Sequence, residues 1–443
     1  MAVPTAGPLR VHATNPRYFA DRHGKAVYLT GSHTWDTLQD LGEADPPPAF
    51  DFDAHLDFLV ARGHDFIRLW RWELFRWDTG ANQKEMAKEL VAAPHPWLRT
   101  GPGLALDGKP RFNLRQYDPE FFTRLRTRVQ AAGRRGIYVS VMLFEGWGLR
   151  FVEGGWQAHP FHPANRLPLG AGEPTGPVDG KNLFTLDSPV LNALQEAYVR
   201  QVVETLNDLD NVLYEIANES DFATTQWQYH LIRQLKAYEA GMAQQHPVGM
   251  TSIGYGVDDL GRLLDSPADW ISPNPDGFDY KNDPPAATGA KVMLPDTDHL
   301  WGVGGSVQWV WKSFTRGLNP IFMDPYRREV LDMGDEAEWE RCRRALGFTR
   351  RLAEEVGMDR MVPGPELASS GYCLAEPGRT YVVYLPEGGE VRVDLSVVQG
   401  RVRVTWRDPR TGETSGSGEA QGGGWVALPA PGAGDAVLLL RAL

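Results

Sequence analysis

Asn218 and Glu219 close the run Val212-Leu-Tyr-Glu-Ile-Ala217, which reads as a buried strand ending before the helix-like stretch from Trp227. An amide and a carboxylic acid at the carboxyl end of a strand suit sugar chemistry. The Glu can protonate a glycosidic oxygen, and the Asn can bond a neighbouring hydroxyl. The dipeptide also occurs at ordinary strand–helix junctions, so its meaning depends on partners elsewhere. Pro295-Asp-Thr-Asp-His299 offers them. Glycosidic cleavage with retention needs two carboxylates about 5 Å apart, one as acid/base and one as nucleophile. Period-2 alternation puts Asp296 and Asp298 on one strand face, with Val292 and Leu294 behind them. Asp298 lies further out, beside His299, and is the preferred nucleophile. Asp296 would orient it or hold an arginine. A solvated Asp-rich turn is the bland alternative.

Arg68 sits inside Phe66-Ile-Arg-Leu-Trp70, where a buried charge is costly unless a carboxylate pairs with it. The 296/298 segment is the expected partner, and the pairing would keep a nucleophile ionised; a purely structural ion pair is the alternative. Other polar and aromatic residues fall at the ends of apolar runs: His33 with Trp35, Trp70 with Glu73, Glu145 with Trp147, Asn274, and His299 with Trp301. His33 could bond a substrate hydroxyl or be a satisfied polar group near the core. Trp35, Trp70, Trp147 and Trp301 offer faces for stacking on sugar rings. His33, His299, Asp296 and Asp298 follow no familiar metal spacing, so no metal and no other cofactor is expected.

These residues need a scaffold that delivers several strand ends to one place. Apolar β-type runs at 27–30, 66–70, 137–143, 212–217, 248–252, 270–272, 291–294 and 320–323 alternate with helical stretches such as 53–62, 119–135, 189–209 and 225–244. Eight such units in about 300 residues predict an α/β fold, a (β/α)8 TIM barrel, over residues 1–356. A doubly wound open sheet would want a Gly-rich phosphate loop after its first strand, and none is present. Insertions at 76–115 and 146–186 would lie on the catalytic face, where βα loops emerge. After a helical run at 336–356, residues 357–365 read as a linker. Alternating runs at 372–374, 380–385, 390–395, 401–407, 424–428 and 436–440, between Gly/Pro/Asp turns, predict a small antiparallel β-sandwich over 363–443.

With 443 residues, 42% hydrophobic, the chain suits two or three packed domains. A formal charge of −12 argues against nucleic acid or an anionic membrane as the main partner. No apolar run approaches the ~20 residues of a membrane helix. Met1-Ala-Val-Pro-Thr-Ala-Gly7 lacks signal-peptide regions, which fits either a cytoplasmic protein or a secreted one with its leader removed. Cys342 and Cys373 read as buried apolar residues rather than as a disulfide framework.

Tyr28-Leu-Thr-Gly-Ser-His-Thr-Trp35, Arg68, Asn218-Glu219 and the acidic 296/298 segment together resemble the large clan of retaining (β/α)8 glycoside hydrolases, in particular its cellulase-like members. The likeness covers roughly residues 10–350. It implies Glu219 as acid/base, a strand-seven carboxylate as nucleophile and Arg68 as its support. The clan's nucleophile is normally Glu, whereas this chain offers Asp, one methylene shorter. A wider carboxylate gap would admit water and favour inversion. Tyr381-Val-Val-Tyr-Leu-Pro386 and Val404-Thr-Trp-Arg-Asp-Pro-Arg-Thr-Gly412 resemble a β-sandwich module named for collagen binding that commonly trails sugar hydrolases. The expected function is hydrolysis of a polysaccharide or oligosaccharide. The alternative is a carbohydrate- or matrix-binding protein on a hydrolase-like barrel without catalysis.

Overall fold

The computed structural model describes every residue except 1–3, 82–87, 171–172, 174–179, 181, 253–259, 275–278, 329 and 331–333. All but the first of its parallel strands are apolar runs, as burial on both faces demands. The strands are β1 (Gly31–His33), β2 (Phe66–Leu69), β3 (Tyr138–Glu145), β4 (Val212–Asn218), β5 (Val248–Thr251), β6 (Trp270–Ser272), β7 (Val292–Met293) and β8 (Ile321–Met323). The strands from β2 to β7 form one six-stranded sheet in chain order, and β8 pairs with β1 in a two-stranded one. The sheet curls towards the pair at both edges. Asp296 bridges Ile321 between β7 and β8, and the Asp65 amide donates to the Thr30 carbonyl at 3.1 Å beside β1 and β2. No continuous ladder crosses either seam among the described residues. Pro295 and Pro320 contribute at the first, because proline has no N–H to give.

Phe66, Tyr138, Leu213, Trp270, Val292 and Ile321 pack in one cluster with Leu9 and Phe19 of the N-terminal segment. Trp270 uses the room that Gly249 leaves, since a Cβ there would lie 1.9 Å from the indole. Helices α1 (Phe52–Arg62), α2 (Pro119–Arg134), α3 (Trp147–Phe151), α4 (Pro189–Leu206), α5 (Thr225–Glu239), α6 (Leu260–Asp265), α7 (Thr297–Leu300), α8 (Val307–Thr315) and α9 (Glu336–Val356) connect and follow the strands. Asp51, Asp118 and Asp335 cap α1, α2 and α9 by accepting from backbone N–H groups of their first turns. None of the helices, over the described residues, is long and apolar enough to cross a membrane.

Three expectations need correction. The first parallel strand is not 27–30: Ala26–Val27 belongs to a three-stranded antiparallel sheet with Arg10–Val11 and Phe19–Ala20, and β1 begins at Gly31. Gly31 and Ser32 carry no apolar signal, yet a Cβ at Gly31 would lie 2.1 Å from the Phe66 carbonyl oxygen, so the strand depends on close backbone approach. The seventh strand stops at Met293, and Asp296 becomes the N-cap of α7, accepting from the Asp298 amide at 3.0 Å. Asp296 and Asp298 therefore do not share a strand face. Residues 357–365 are no loose linker: Met358 and Met361 are buried, Asn15 Nδ2 donates to both their carbonyls (2.8 and 2.9 Å), and Val362–Pro363 pairs with 374–375. The insertion after β2 contains strands: 76–78 and 89–93 form one sheet with 40–42, which precedes β2, and 97–104 with 110–117 forms a hairpin.

Beyond α9 lies a β-rich domain. Strands 362–363, 373–376, 380–385, 436–442, 401–407 and 414–421 form a six-stranded antiparallel sheet in that order, and 390–394 pairs with 425–429. Thr380-Tyr-Val-Val-Tyr-Leu385 is buried on both faces. Tyr381, Val383 and Leu385 join Val391, Val393 and Trp406 in the domain's own core, whereas Val382 and Tyr384 face Trp311, Phe314, Phe348 and Leu352 of α8 and α9. Trp311 Nε1 also donates to the Pro409 carbonyl at 2.9 Å.

Candidate active site

Arg68, near the end of β2, is buried, and its guanidinium organises the site. Nε and Nη2 donate to the two oxygens of Glu215 (2.9 and 2.6 Å), a bidentate pair between β2 and β4. Nη2 also donates to Asn218 Oδ1 at 2.7 Å. Nη1 donates to Asp296 at 2.9 Å and to Asp298 at 3.1 Å. One cation thus ties the end of β2 to β4 and to the start of α7. The principal partner of Arg68 is Glu215, which the sequence reading passed over. The signal was available: Glu215 is a lone carboxylate inside an apolar strand, the counterpart of a lone guanidinium inside another.

Asp296 and Asp298 differ in environment. Asp296 accepts from Arg68, from the Asp298 amide and from His33 Nε2 at 2.8 Å, and it is 1% exposed. Burial opposes its charge, but His33 and Arg68 outweigh that and hold its carboxyl well below the usual range. A carboxylate accepts only, so His33 Nε2 carries the proton, while its Nδ1 has no hydrogen-bond partner among the described residues. Asp298 is 8% exposed. Burial pushes its carboxyl up to about 6, against the pull of Arg68 and with a further push from Asp296. His299 bonds Asn218 Oδ1 through Nε2 (2.9 Å) and Ser272 Oγ through Nδ1 (2.7 Å). Burial, with Arg68 nearby, lowers its pKa to about 3, so the ring is neutral. With its oxygen engaged by Arg68 and His299, the Asn218 amide turns its NH2 group elsewhere.

Glu219 follows directly. Its backbone adopts φ = 42°, the left-handed region that costs a non-glycine residue about 1–2 kcal/mol. Burial and the neighbouring Asp298 push its carboxyl well above the ordinary value, Glu145 adds to that, and Arg150 and Arg68 oppose it. Glu145 pairs in register with Asn218 across β3 and β4. It is fully buried, and burial raises its pKa to about 8, although the Gly148 amide donates to it at 3.0 Å. Beneath it, Glu73 is bound by Arg71 at 2.6 Å and by His159, and these two hold it below its usual pKa despite burial.

The expected tryptophans separate into two groups. Trp35 and Trp70, with ring centroids 6.1 Å apart, join Trp72 and Trp77, and the half-buried Trp147 lies 5.6 Å from Trp77. His33 stacks on Trp70 at 5.8 Å. Trp35 and Trp70 each bury an Nε1–H that has no hydrogen-bond partner among the described residues. Trp301 instead packs edge-on against Trp309 at 5.4 Å, beneath Lys281. Asn274 is buried just past β6, beside residues 275–278, which lie outside the described set. The structure therefore gathers His33, Arg68, Asn218, Asp296, Asp298 and His299 by direct bonds, and Glu145 and Glu219 by charge. Trp301 packs against Trp309 instead. Trp72, Trp77, Ser272 and Glu215 are the additions.

Comparisons with known proteins come from two directions. Residues 360–441 match the family described as "Putative collagen-binding domain of a collagenase". No match was found among curated protein sequences. Among solved structures, one named "Glycoside hydrolase" aligns over 100% of this chain and 98% of its own, with a TM-score of 0.61 at 12% identity. A glycoside hydrolase family 5 structure from Bacteroides vulgatus aligns over 98% of this chain and 94% of its own, with a TM-score of 0.64 at 12% identity. Along nearly its whole length, the chain shares the fold of solved glycoside hydrolases, and its C-terminal residues 360–441 match a family model described as a collagen-binding domain.

Proposed function

We propose that this protein is a glycoside hydrolase of the retaining type, on a (β/α)8 barrel spanning residues 1–356 with a β-sandwich at 363–443. Its substrate is a polysaccharide or oligosaccharide. The observation that carries this reading is the Arg68 junction. A single guanidinium fastens Asp298 and the Asn218 amide, while the charge of Asp298 pushes the carboxyl of Glu219, the residue after Asn218, upward. Two neighbouring carboxylates, one pushed towards its neutral form and the other supported by a cation, are the pair that double displacement uses.

In this reading Asp298 attacks the anomeric carbon and Glu219 passes its proton to the departing glycosidic oxygen. Glu219, now ionised, takes a proton from water, which releases the sugar from Asp298. Asp298 suits the nucleophile better than Asp296, which is nearly inaccessible and committed to three partners. The Asn218 NH2, its oxygen engaged by Arg68 and His299, is the donor for a sugar hydroxyl. NMR of the first-formed anomer tests the reading: the product should keep the substrate's configuration. An inverted product would remove Asp298 from the nucleophile role, and binding of glycans without any turnover would leave a carbohydrate-binding protein.

A further inference from the structure

We propose that Arg150 is a positioning residue for Glu219, gripping the backbone of the acid from the loop after β3 and holding the strained turn on which its carboxyl depends. The inference rests on the acid role proposed above. Arg150 lies in α3, and its Nη1 donates to the Glu219 carbonyl at 2.8 Å. Glu219 is one of two described non-glycine residues with positive φ, at 42°. A side chain at such a backbone stays put when its surroundings over-determine it. The same loop supplies the other constraints. The Gly146 amide donates to the Asn218 carbonyl at 2.8 Å. Gly146 itself abuts Ser220 so closely that a Cβ would lie 2.5 Å from its Cα and Oγ. The Asn218-Glu219-Ser220 turn is therefore clasped on all three residues by Gly146 and Arg150, which are four residues apart in sequence.

Without the clasp the turn can relax towards ordinary φ, and the Glu219 carboxyl swings off the leaving oxygen. The charge of Arg150 acts as well. The groups around Glu219 are Asp298 from α7, Glu145 from β3, Arg68 from β2 and Arg150 from α3. Losing one of the two cations lets the carboxyl hold its proton to higher pH. Both effects touch the acid step, so in kcat/KM they matter when the leaving group needs protonation and little when it does not.

The test compares Arg150→Met, Arg150→Gln, Arg150→Lys and Glu219→Gln with wild type on dinitrophenyl and plain phenyl glycosides of a sugar the wild type accepts. Melting temperature is recorded alongside. We expect Arg150→Met to lower kcat/KM, which reports formation of the covalent intermediate, about 100-fold on the phenyl glycoside and only several-fold on the dinitrophenyl glycoside. The basic limb of the pH–rate profile should move to higher pH. Arg150→Lys, which keeps the charge and one donor, should return the limb and part of the ratio. Equal loss on both glycosides with an unmoved limb, whatever the melting temperature, would mark Arg150 as a structural contact and overturn the inference; if the Met variant does not fold, the Gln variant carries the same two outcomes. If Glu219→Gln treats both glycosides alike, the acid role and this inference fall together. If Glu219→Gln discriminates and the Arg150 variants do not, the inference alone falls.

Discussion

At the residue scale the site is a contest between burial and charge, and the two Asp residues resolve it differently. Asp298→Asn should abolish turnover, a loss of about 10²–10⁴-fold or more, with a small change in melting temperature, because its ties are few. Asp296→Asn should lower both activity and melting temperature, since it leaves His33 and Arg68 short of a charge. If Asp298 is the nucleophile, kcat/KM should fall with acid below about 6 as its carboxyl protonates. A limb in the ordinary carboxylate range would contradict the assignment. Arg68→Met now reads as a folding variant as well as a catalytic one. It strands Glu215 and Asp296 in the interior, at about 3–5 kcal/mol for a broken buried pair. Glu145 gives a stability prediction. Its folded pKa of about 8 lies above the ordinary value of 4.5, so the folded state binds more protons than the unfolded one between those values. Stability should therefore fall as pH rises through that window. Glu145→Gln should flatten the slope and melt higher than wild type at alkaline pH. Melting curves across the window check this, and an unchanged slope would show that Glu145 is ionised in the fold.

At the element scale, prolines and glycines decide where groups point. Pro295 ends β7 by withholding an N–H, and the chain turns into α7 with Asp296 as its cap, so that Asp296 and Asp298 both reach Arg68 from a helical turn. Gly249 admits the Trp270 indole among the strands. Gly249→Ala should destabilise by about 1–3 kcal/mol, measured by denaturant unfolding, without altering the pH profile. A neutral result would mean that Trp270 can repack.

At the scale of the molecule, the β-rich domain is a structural partner of α8 and α9. Its six-stranded sheet turns Val382, Tyr384, Val437 and Leu439 towards Trp311 and Phe348, and Glu355 of α9 binds both Arg407 and Arg441 (2.8 and 3.0 Å). Truncation after residue 360 should strip this face and yield insoluble or low-melting protein. Trp311→Ala should cost about 3–5 kcal/mol and leave the sugar specificity of surviving activity unchanged. Calorimetry should show one cooperative transition in the full chain; two well-separated transitions would show that the domains are independent.

The sequence by itself determined the inventory and the order of elements. Apolar runs long enough to be buried on both faces announced β2 to β6 within a few residues, the helical run 336–356 matches α9 to the residue, and charges isolated in apolar runs marked the site. Where backbone geometry rather than side-chain pattern makes the strand, the sequence was mute. Gly31-Ser32 carries no hydrophobic signal, and Thr414-Ser-Gly-Ser-Gly-Glu-Ala-Gln421 forms an exposed edge strand that reads as loop. Pairing across distance was equally hidden. Arg68 demanded a carboxylate, but which one depends on how a curled sheet brings 215, 296 and 298 to a single guanidinium. The positive φ of Glu219 and the reach of Arg150 to its carbonyl are likewise decided by tertiary structure, because a local sequence sets what a residue can bond and only the packed chain sets what lies within 3 Å of it.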